Sequence, residues 1–333
     1  MKNISELRQD IVSGDWIVIA TGRAKRPHDF QKRAHPALHQ AKTQCPFEAR
    51  VPVAYTVYAA PARVRERGWL VQVVPNKYPS FSRTGSLRLH RKGLYHWREG
   101  VGTHDVVVFR DHHRSLARFT DQEVEVVMRA YQERFRALAG ERGIAYVSLF
   151  HNHGRDAGAT IVHPHSQIIG VPVIPPDVGR SIKGSAAYVA SHRACVHCVV
   201  LGFERREKER MVYENERFFV YAPFASRTAF ELRILPKTHS AHFEKMSVED
   251  RAACANALRV ALAKLYRGLN DPDYNFFLHT APAGDPKDFG HYHWHFEILP
   301  KTAIWAGFEI GTGIEVSVIA PEKAAEFLRK IKV

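Results

Sequence analysis

His163-Pro164-His165-Ser166-Gln167-Ile168-Ile169-Gly170 is the stretch on which the reading of this chain turns. Side chains alternate across a strand, so residues two apart share a face. His163, His165 and Gln167 are therefore expected to point the same way. One imidazole can react while its neighbour is tied down, and the amide beyond them can donate a hydrogen bond. Upstream stand Asn152-His153-Gly154 and Gly158. Small residues there let backbone amides come close to a phosphate.

Read outward from this stretch, the chain repeats itself. The first copy runs Cys45-x-x-Glu48, His104 to Val108, His113, a helix start at Thr120 to Glu123, Leu149-Phe150-His151 and His163-x-His165. The second runs Cys195-x-x-Cys198, Phe230 to Ile234, His239, a helix start at Ser247 to Asp250, Phe277-Leu278-His279 and His291-x-His293. Nine residues separate His104 from His113 and Phe230 from His239; twelve separate His151 from His163 and His279 from His291. Both helix starts pair a hydroxyl N-cap with an acidic residue three positions on. The shared order predicts two similar halves, 1–176 and 190–333. A linker is expected at 177–189, in the stretch after Pro172 that prolines and glycines interrupt.

Helices are expected over 120–142, 247–268 and 321–331. Strands are expected at 16–19, 71–74, 106–109, 145–150, 218–221, 232–235 and 294–299. Strands outnumber helices and rarely alternate with them, which points to an α+β fold: a mostly antiparallel sheet with packed helices. No glycine-rich dinucleotide or P-loop fingerprint is present.

At 333 residues, 45% hydrophobic and 25% charged, the chain has the composition of a globular protein with a substantial core. It carries no apolar run of membrane-spanning length and no apolar signal core at its start, so a cytoplasmic protein is expected. The net charge of +14 favours anionic partners. The basic residues are scattered and no nucleic-acid motif stands out, so phosphorylated small molecules are the expected partners, not nucleic acid or membrane. The four cysteines do not make a disulfide framework. A Cys-x-x-Cys reads as metal or redox chemistry.

Four constellations carry chemistry. Cys45, Glu48, His113 and His163 make a tetrahedral zinc set of thiolate, carboxylate and two imidazoles. Cys195 and Cys198 form a tighter two-thiolate knuckle with His239 and an imidazole from His291, His293 or His295. Spacing alone leaves that last ligand open, and the repeat favours His291. A redox pair is the alternative, but it usually sits where a strand runs into a helix N-terminus, a context not visible here. His165, if His163 binds metal, is left as a neutral imidazole able to attack phosphorus. Arg23, Lys25 and Arg26 suit a diphosphate, and Asn76-Lys77 makes a polar interruption after a strand. Cys254 is expected in the core, and Trp294 and Trp305 are expected to serve packing and not as platforms for a ligand. His197 and His242 are expected to be exposed or to lie beside a metal.

These residues resemble the galactose-1-phosphate uridylyltransferase family, in the transferase branch of the histidine-triad superfamily. The resemblance covers nearly the whole chain. It is carried by Asp15-Trp16-Ile17-Val18-Ile19, Arg23-Ala24-Lys25-Arg26-Pro27, Cys45-Pro46-Phe47, Val74-Pro75-Asn76-Lys77, Phe150-His151-Asn152-His153-Gly154, His163-Pro164-His165-Ser166-Gln167 and Gly307-Phe308-Glu309-Ile310-Gly311-Thr312-Gly313. It implies two histidine-triad-like halves and ping-pong nucleotidyl transfer. His165 would attack the α-phosphorus of UDP-glucose, and galactose 1-phosphate would take the uridylyl group from the histidine. Gln167 would hydrogen-bond a phosphoryl oxygen. Asn76, Asn152, Arg23 and Arg26 would hold the phosphates. Phe308, Glu309 and Gly311 would lie near the nucleotide or sugar, supplied in some members by the partner of a homodimer. Zinc is the implied cofactor, and His293 the implied fourth ligand of the second site.

The chain departs from the pattern at Glu48, where many members have a second cysteine, and at Ser166, which replaces a glycine. With Cys195, Cys198 and the 307–313 segment, Ser166 looks like the branch that includes plant ADP-glucose phosphorylases. Adenine then competes with uracil, and inorganic phosphate with a sugar phosphate. Two other classes compete: a histidine-triad hydrolase with a live second half at His291-Tyr292-His293-Trp294-His295, and a zinc-stapled binding module for nucleotides or nucleic acid.

Overall fold

The computed structural model describes residues 5–23, 30, 40–48, 56–59, 68–283 and 289–333. In the first half the strands are β1 (Glu6–Gln9), β2 (Trp16–Ile19), β3 (Thr56–Ala59), β4 (Trp69–Pro75), β5 (His90–Lys92), β6 (Tyr95–Trp97), β7 (Thr103–Phe109), β8 (Tyr146–His153) and β9 (His165–Val171). The second half supplies β10 (Met211–Glu214), β11 (Phe218–Tyr221), β12 (Leu232–Pro236), β13 (Tyr274–His279), β14 (His295–Pro300) and β15 (Val316–Ser317). The helices are α1 (Asp121–Ala139), α2 (Pro176–His192), α3 (Val196–Glu207), α4 (Val248–Leu269), α5 (Gly307–Thr312) and α6 (Pro321–Lys330).

A single ten-stranded sheet, in the order β10-β11-β12-β14-β13-β8-β9-β7-β4-β3, runs through both halves. Its ladders are antiparallel. The fold is α+β as expected, and the halves meet where β8 pairs with β13, Phe150 opposite Phe277 and Asn152 opposite Asn275. The stretch 177–189 falls within α2, a helix the periodicity did not suggest. No single helix among the described residues is long and apolar enough to cross a membrane.

Local chemistry sets the long helices. Thr120 Oγ1 accepts from the Glu123 N–H at 3.3 Å, and the Glu123 carboxylate accepts from the Thr120 N–H at 2.8 Å, closing the expected capping box at α1. Ser247 Oγ accepts from the Asp250 N–H at 3.0 Å at the start of α4. Both helices pack on one face of the sheet. Val127, Met128 and Tyr131 of α1 and Leu258, Leu262 and Leu265 of α4 share the core with Val107, Leu149, Ile168, Ile234, Phe276 and Phe296 of the strands. Cys254 and Trp294 are buried as expected, but Trp305 is exposed and lies by Lys301. The opposite face of the sheet is left for chemistry. Along β9, Ser166 and Ile168 are buried while His165 and Gln167 stand half-buried on the other side.

The strand register corrects the repeat. Gln167 lies opposite Val106 and Phe150, and Glu297 lies opposite Arg233 and Phe277. His165 thus corresponds to His295, His163 to His293, and Phe150 to Phe277. The sequence alignment of Leu149-Phe150-His151 with Phe277-Leu278-His279 is off by one, which in a strand exchanges the two faces.

Candidate active site and metal centres

His165 opens β9. Its Nδ1 donates to the carbonyl of His163 at 2.9 Å, and among the described residues none takes up the Nε2 lone pair. Burial holds this imidazole below the ordinary histidine range, so it is neutral at neutral pH. Phe47 packs edge-on against both His163 and His165. Gln167 sits on the same face, with Oε1 2.6 Å from His104 Nε2 on the neighbouring β7. Asn76, at the end of β4, brings its Nδ2 to 3.0 Å from the same ring nitrogen. Asn152 Oδ1 accepts from Asn275 Nδ2 at 2.8 Å, so a side-chain amide from the second half braces it. Gly154 has φ +82°, and a Cβ there would fall 2.0 Å from the Asp273 side chain. The Asp273 carboxylate accepts from the Asp156 N–H at 2.6 Å, so only glycine lets the chain turn this closely beside it.

Ser166 points to the other face. Its Oγ lies 2.5 Å from Tyr131 OH and 2.9 Å from His151 Nδ1. This buried polar link ties the reactive strand to α1. Sequence reasoning placed His151 in the repeat but gave it no role; the register, which turns it into the core, supplies one.

Beside His165 the first metal cluster assembles. His163 Nδ1 is 3.5 Å from Cys45 Sγ and 3.1 Å from His112 Nδ1, and Glu48 Oε1 is 3.2 Å from His112 Nδ1. The structure therefore brings His112, not the expected His113, to the cluster; His113 is exposed on the next position of the turn. Each imidazole donates its Nε2–H to a carbonyl, His163 to Phe109 O at 2.5 Å and His112 to Gln40 O at 3.0 Å. Two Nδ1 lone pairs then face each other without a hydrogen between them. That arrangement fits a cation, with the ring orientations fixed from behind.

The second cluster repeats the pattern. Cys198 Sγ is 3.4 Å from His239 Nδ1 and 3.5 Å from His293 Nδ1, and Cys195 completes the set. His239 Nε2 donates to Gly290 O at 2.9 Å and His293 Nε2 to Pro236 O at 3.1 Å. The histidine that joins this cluster is His293, as the resemblance implies; His291 lies outside it, so the repeat-based choice is corrected. The hydrogen bond from Cys198 holds the Cys195 thiol down at about 3, while Cys198, giving that hydrogen, is pushed up. Cys195 is in fact the N-cap of α3, preceded by a helix and not a strand. Two converging imidazoles make the pair a ligand set. His197 and His242 are both buried, not exposed, and His197 packs edge-on against His293 and tilted against His295.

The second half's counterpart of this site is occupied by an ion network. His295 Nδ1 donates to His293 O at 3.0 Å, as His165 does to His163. Here, however, Glu297 stands in the Gln167 position, bonded by Arg227 and, at 2.9 Å, by Arg233, which also reaches Asp10 at 3.0 Å. Burial raises the Glu297 carboxyl, but the two guanidiniums pull it well below the usual range. His279, His295 and Glu297 also converge within 4.8 Å. The two arginines already supply the positive charge a metal would bring. Breaking a buried pair strands its partner, so Glu297→Gln is expected to cost about 3–5 kcal/mol in denaturant unfolding. A lowered carboxyl stabilises above its unfolded pKa and loses that effect as pH falls through its folded one. The gap between wild type and variant should therefore be full at neutral pH and narrow in acid. A gap that widened in acid would refute this account of the network.

Arg26 and Lys25 lie outside the described residues, and Arg23 ends a short 3-10 turn after β2. Phe308, Glu309 and Gly311 lie on the exposed α5, where Glu309 accepts from the Ala306 N–H at 3.0 Å.

A ten-stranded α+β sheet with one backbone-anchored, half-buried histidine and two cysteine–histidine clusters has the parts that a histidine-based nucleotidyl transfer would require. Known proteins agree. Residues 1–175 match the model described as galactose-1-phosphate uridyl transferase, N-terminal domain, and residues 92–331 match a domain of unknown function, DUF4921. ADP-glucose phosphorylase of Arabidopsis thaliana is 31% identical over 98% of this chain and 93% of its own length. Galactose-1-phosphate uridylyltransferase of Thermotoga maritima is 29% identical over 98% and 99%. The crystal structure of the Arabidopsis phosphorylase with bound ADP-glucose superposes with a TM-score of 0.79 at 29% identity, over 99% of this chain and 100% of that one. The chain belongs to the galactose-1-phosphate uridylyltransferase family and is an enzyme of its nucleotidyltransferase class.

Proposed function

We propose that this protein transfers a nucleoside monophosphate from a nucleoside-diphosphate sugar to a phosphorylated acceptor through His165, as uridylyl transfer from UDP-glucose to galactose 1-phosphate. The observation that carries the proposal is the hydrogen bond from His165 Nδ1 to His163 O, which leaves a neutral, aimed Nε2. Nε2 attacks the α-phosphorus. A P–N bond forms, the P–O bond to the sugar phosphate breaks, and glucose 1-phosphate leaves. The positive charge that develops on the ring is met by the His163 carbonyl. Gln167 and Asn152 donate to the phosphoryl oxygens, where most of the catalytic effect arises. The acceptor's phosphate oxygen then displaces His165 from phosphorus.

A second reading, ADP-glucose as donor and inorganic phosphate as acceptor, is favoured by the similarity to the Arabidopsis enzyme. The hydrolase reading with a live second half is disfavoured by the Glu297 ion network around the buried His295.

Zinc is proposed at both clusters, held by Cys45, Glu48, His112 and His163 and by Cys195, Cys198, His239 and His293. When bound, it would lock the strand that carries His165 and staple α3 to β14. A homodimer is proposed in which the exposed α5, with Phe308, Glu309 and Gly311, serves the partner's site; the exposure of Phe308 and Ile310 supports this.

Intact mass after incubation with UDP-glucose or ADP-glucose alone, kept from acid, tests the reading. One uridylyl group, lost on adding galactose 1-phosphate, is the expected result. An adenylyl group would keep the mechanism and change the substrates. No adduct with either donor would overturn the proposal.

A further inference from the structure

We infer that His104 is a positioning residue that presents the Gln167 amide to the substrate donor side out; this rests on the nucleotidyl-transfer reading above. A glutamine amide has two nearly isosteric ends, one donating and one accepting. Only the NH2 end can stabilise a phosphoryl oxygen; the carbonyl end would repel it. Something must therefore tell the two apart.

The structure holds that information in a short chain of hydrogen bonds. The Ser80 backbone N–H can only donate, and it lies 3.1 Å from His104 Nδ1. Nδ1 is therefore the acceptor, and the ring's single hydrogen resides on Nε2. That Nε2–H donates to Gln167 Oε1 at 2.6 Å. With Oε1 engaged, the Gln167 NH2 is turned away from His104, along the face that carries His165. Accepting a hydrogen bond at Oε1 also polarises the amide and strengthens the NH2 as a donor. The tautomer thus follows from a main-chain amide, and the amide orientation follows from the tautomer.

Asn76 Nδ2 approaches the same Nε2 at 3.0 Å. With the ring hydrogen committed to Gln167, two donors meet there. The Asn76 amide is instead fixed through Oδ1, which accepts from the Tyr78 N–H at 2.9 Å. His104 is only 8% exposed, so water does not compete readily for these bonds. The second half lacks the device. By the strand register, Glu231 and Glu297 stand in the His104 and Gln167 positions, and Arg227 lies between them. The donor-presenting pair belongs to the half with the reactive histidine alone.

The test uses three replacements of His104 in the full chain. Asparagine reaches only as far as Nδ1 and can keep the Ser80 contact. Glutamine reaches as far as Nε2 and can keep a donor on Gln167. Leucine keeps neither. In single-turnover formation of the His165 adduct, with whichever donor the wild type accepts, H104L and H104N are expected to slow the step about tenfold to a hundredfold. The donor concentration giving half the maximal rate should change little. H104Q should recover most of the rate. In a Q167A background, H104L should have almost no further effect, because the group it orients is gone.

Several outcomes would overturn the inference. H104L and H104N at the wild-type rate would do so, as would full additivity with Q167A or no difference between H104N and H104Q. If H104L does not fold, the H104N and H104Q pair carries the same comparison. A wild-type protein that forms no adduct at all would instead overturn the transfer reading on which the inference rests.

Discussion

His165→Gly should lower nucleotidyl transfer by at least about 10⁴-fold, the scale seen when a covalent nucleophile is removed. Among the described residues, neither neighbouring histidine can stand in for it. His163 has its Nε2 bonded to Phe109 O and its Nδ1 turned to Cys45, and His151 lies on the opposite face of the sheet. Stability should change little. The His165 ring is half-buried, and the hydrogen bond it makes among the described residues goes to His163, two positions back along the chain. Glycine in a strand costs roughly 1 kcal/mol. Intact mass after donor addition, metal content and thermal unfolding check the three parts of this expectation. An adduct that survived the change would place the nucleophile elsewhere. Loss of bound metal together with activity would mean that His165, not His163, is the ligand.

The second large effect concerns the Cys195/Cys198 centre. Removing its metal, by chelation or by Cys198→Ala, should lower the melting temperature strongly. In small folds, a structural zinc site of two thiolates and two imidazoles contributes on the order of 10 kcal/mol. Here α3, the loop carrying His239 and the lead-in to β14 all converge on that point. The loss should therefore exceed that of a single core truncation, about 2–5 kcal/mol. Cys254→Ala serves as a control: it removes a thiol from the core around α4 and not from either cluster. Loss of activity without loss of stability after metal removal would contradict a structural role.

Much of the fold was legible because its signals are local. The Thr120 and Ser247 caps, the Pro321 start of α6 and the apolar runs of β7, β11 and β12 depend on neighbours within a few residues. Helices α2 and α3 were not read. Prolines precede α2, glycines dot it, and the Cys195-x-x-Cys198 motif drew α3 toward metal chemistry before helix geometry. The choice of His112 over His113 was hidden for a different reason. Both lie in one turn after β7, and only the direction the chain takes there decides which ring faces Glu48.

The sequence by itself determined the chemistry available: a reactive histidine beside a ligand histidine, an amide on the same face, and a thiolate–imidazole set written in each half. Those facts depend on residue type and on alternation along one strand. The tertiary structure alone decided what surrounds each copy. His165 and His295 each stand two residues after another histidine and make the same hydrogen bond to its carbonyl. They differ in what comes across the sheet and over it. Gln167 meets His104, whereas Glu297 meets Arg227 and Arg233, with Asp10 of the N-terminal turn closing over them. Those partners lie tens to hundreds of residues away in the chain. No local pattern records their approach, because it is set by strand pairing and packing.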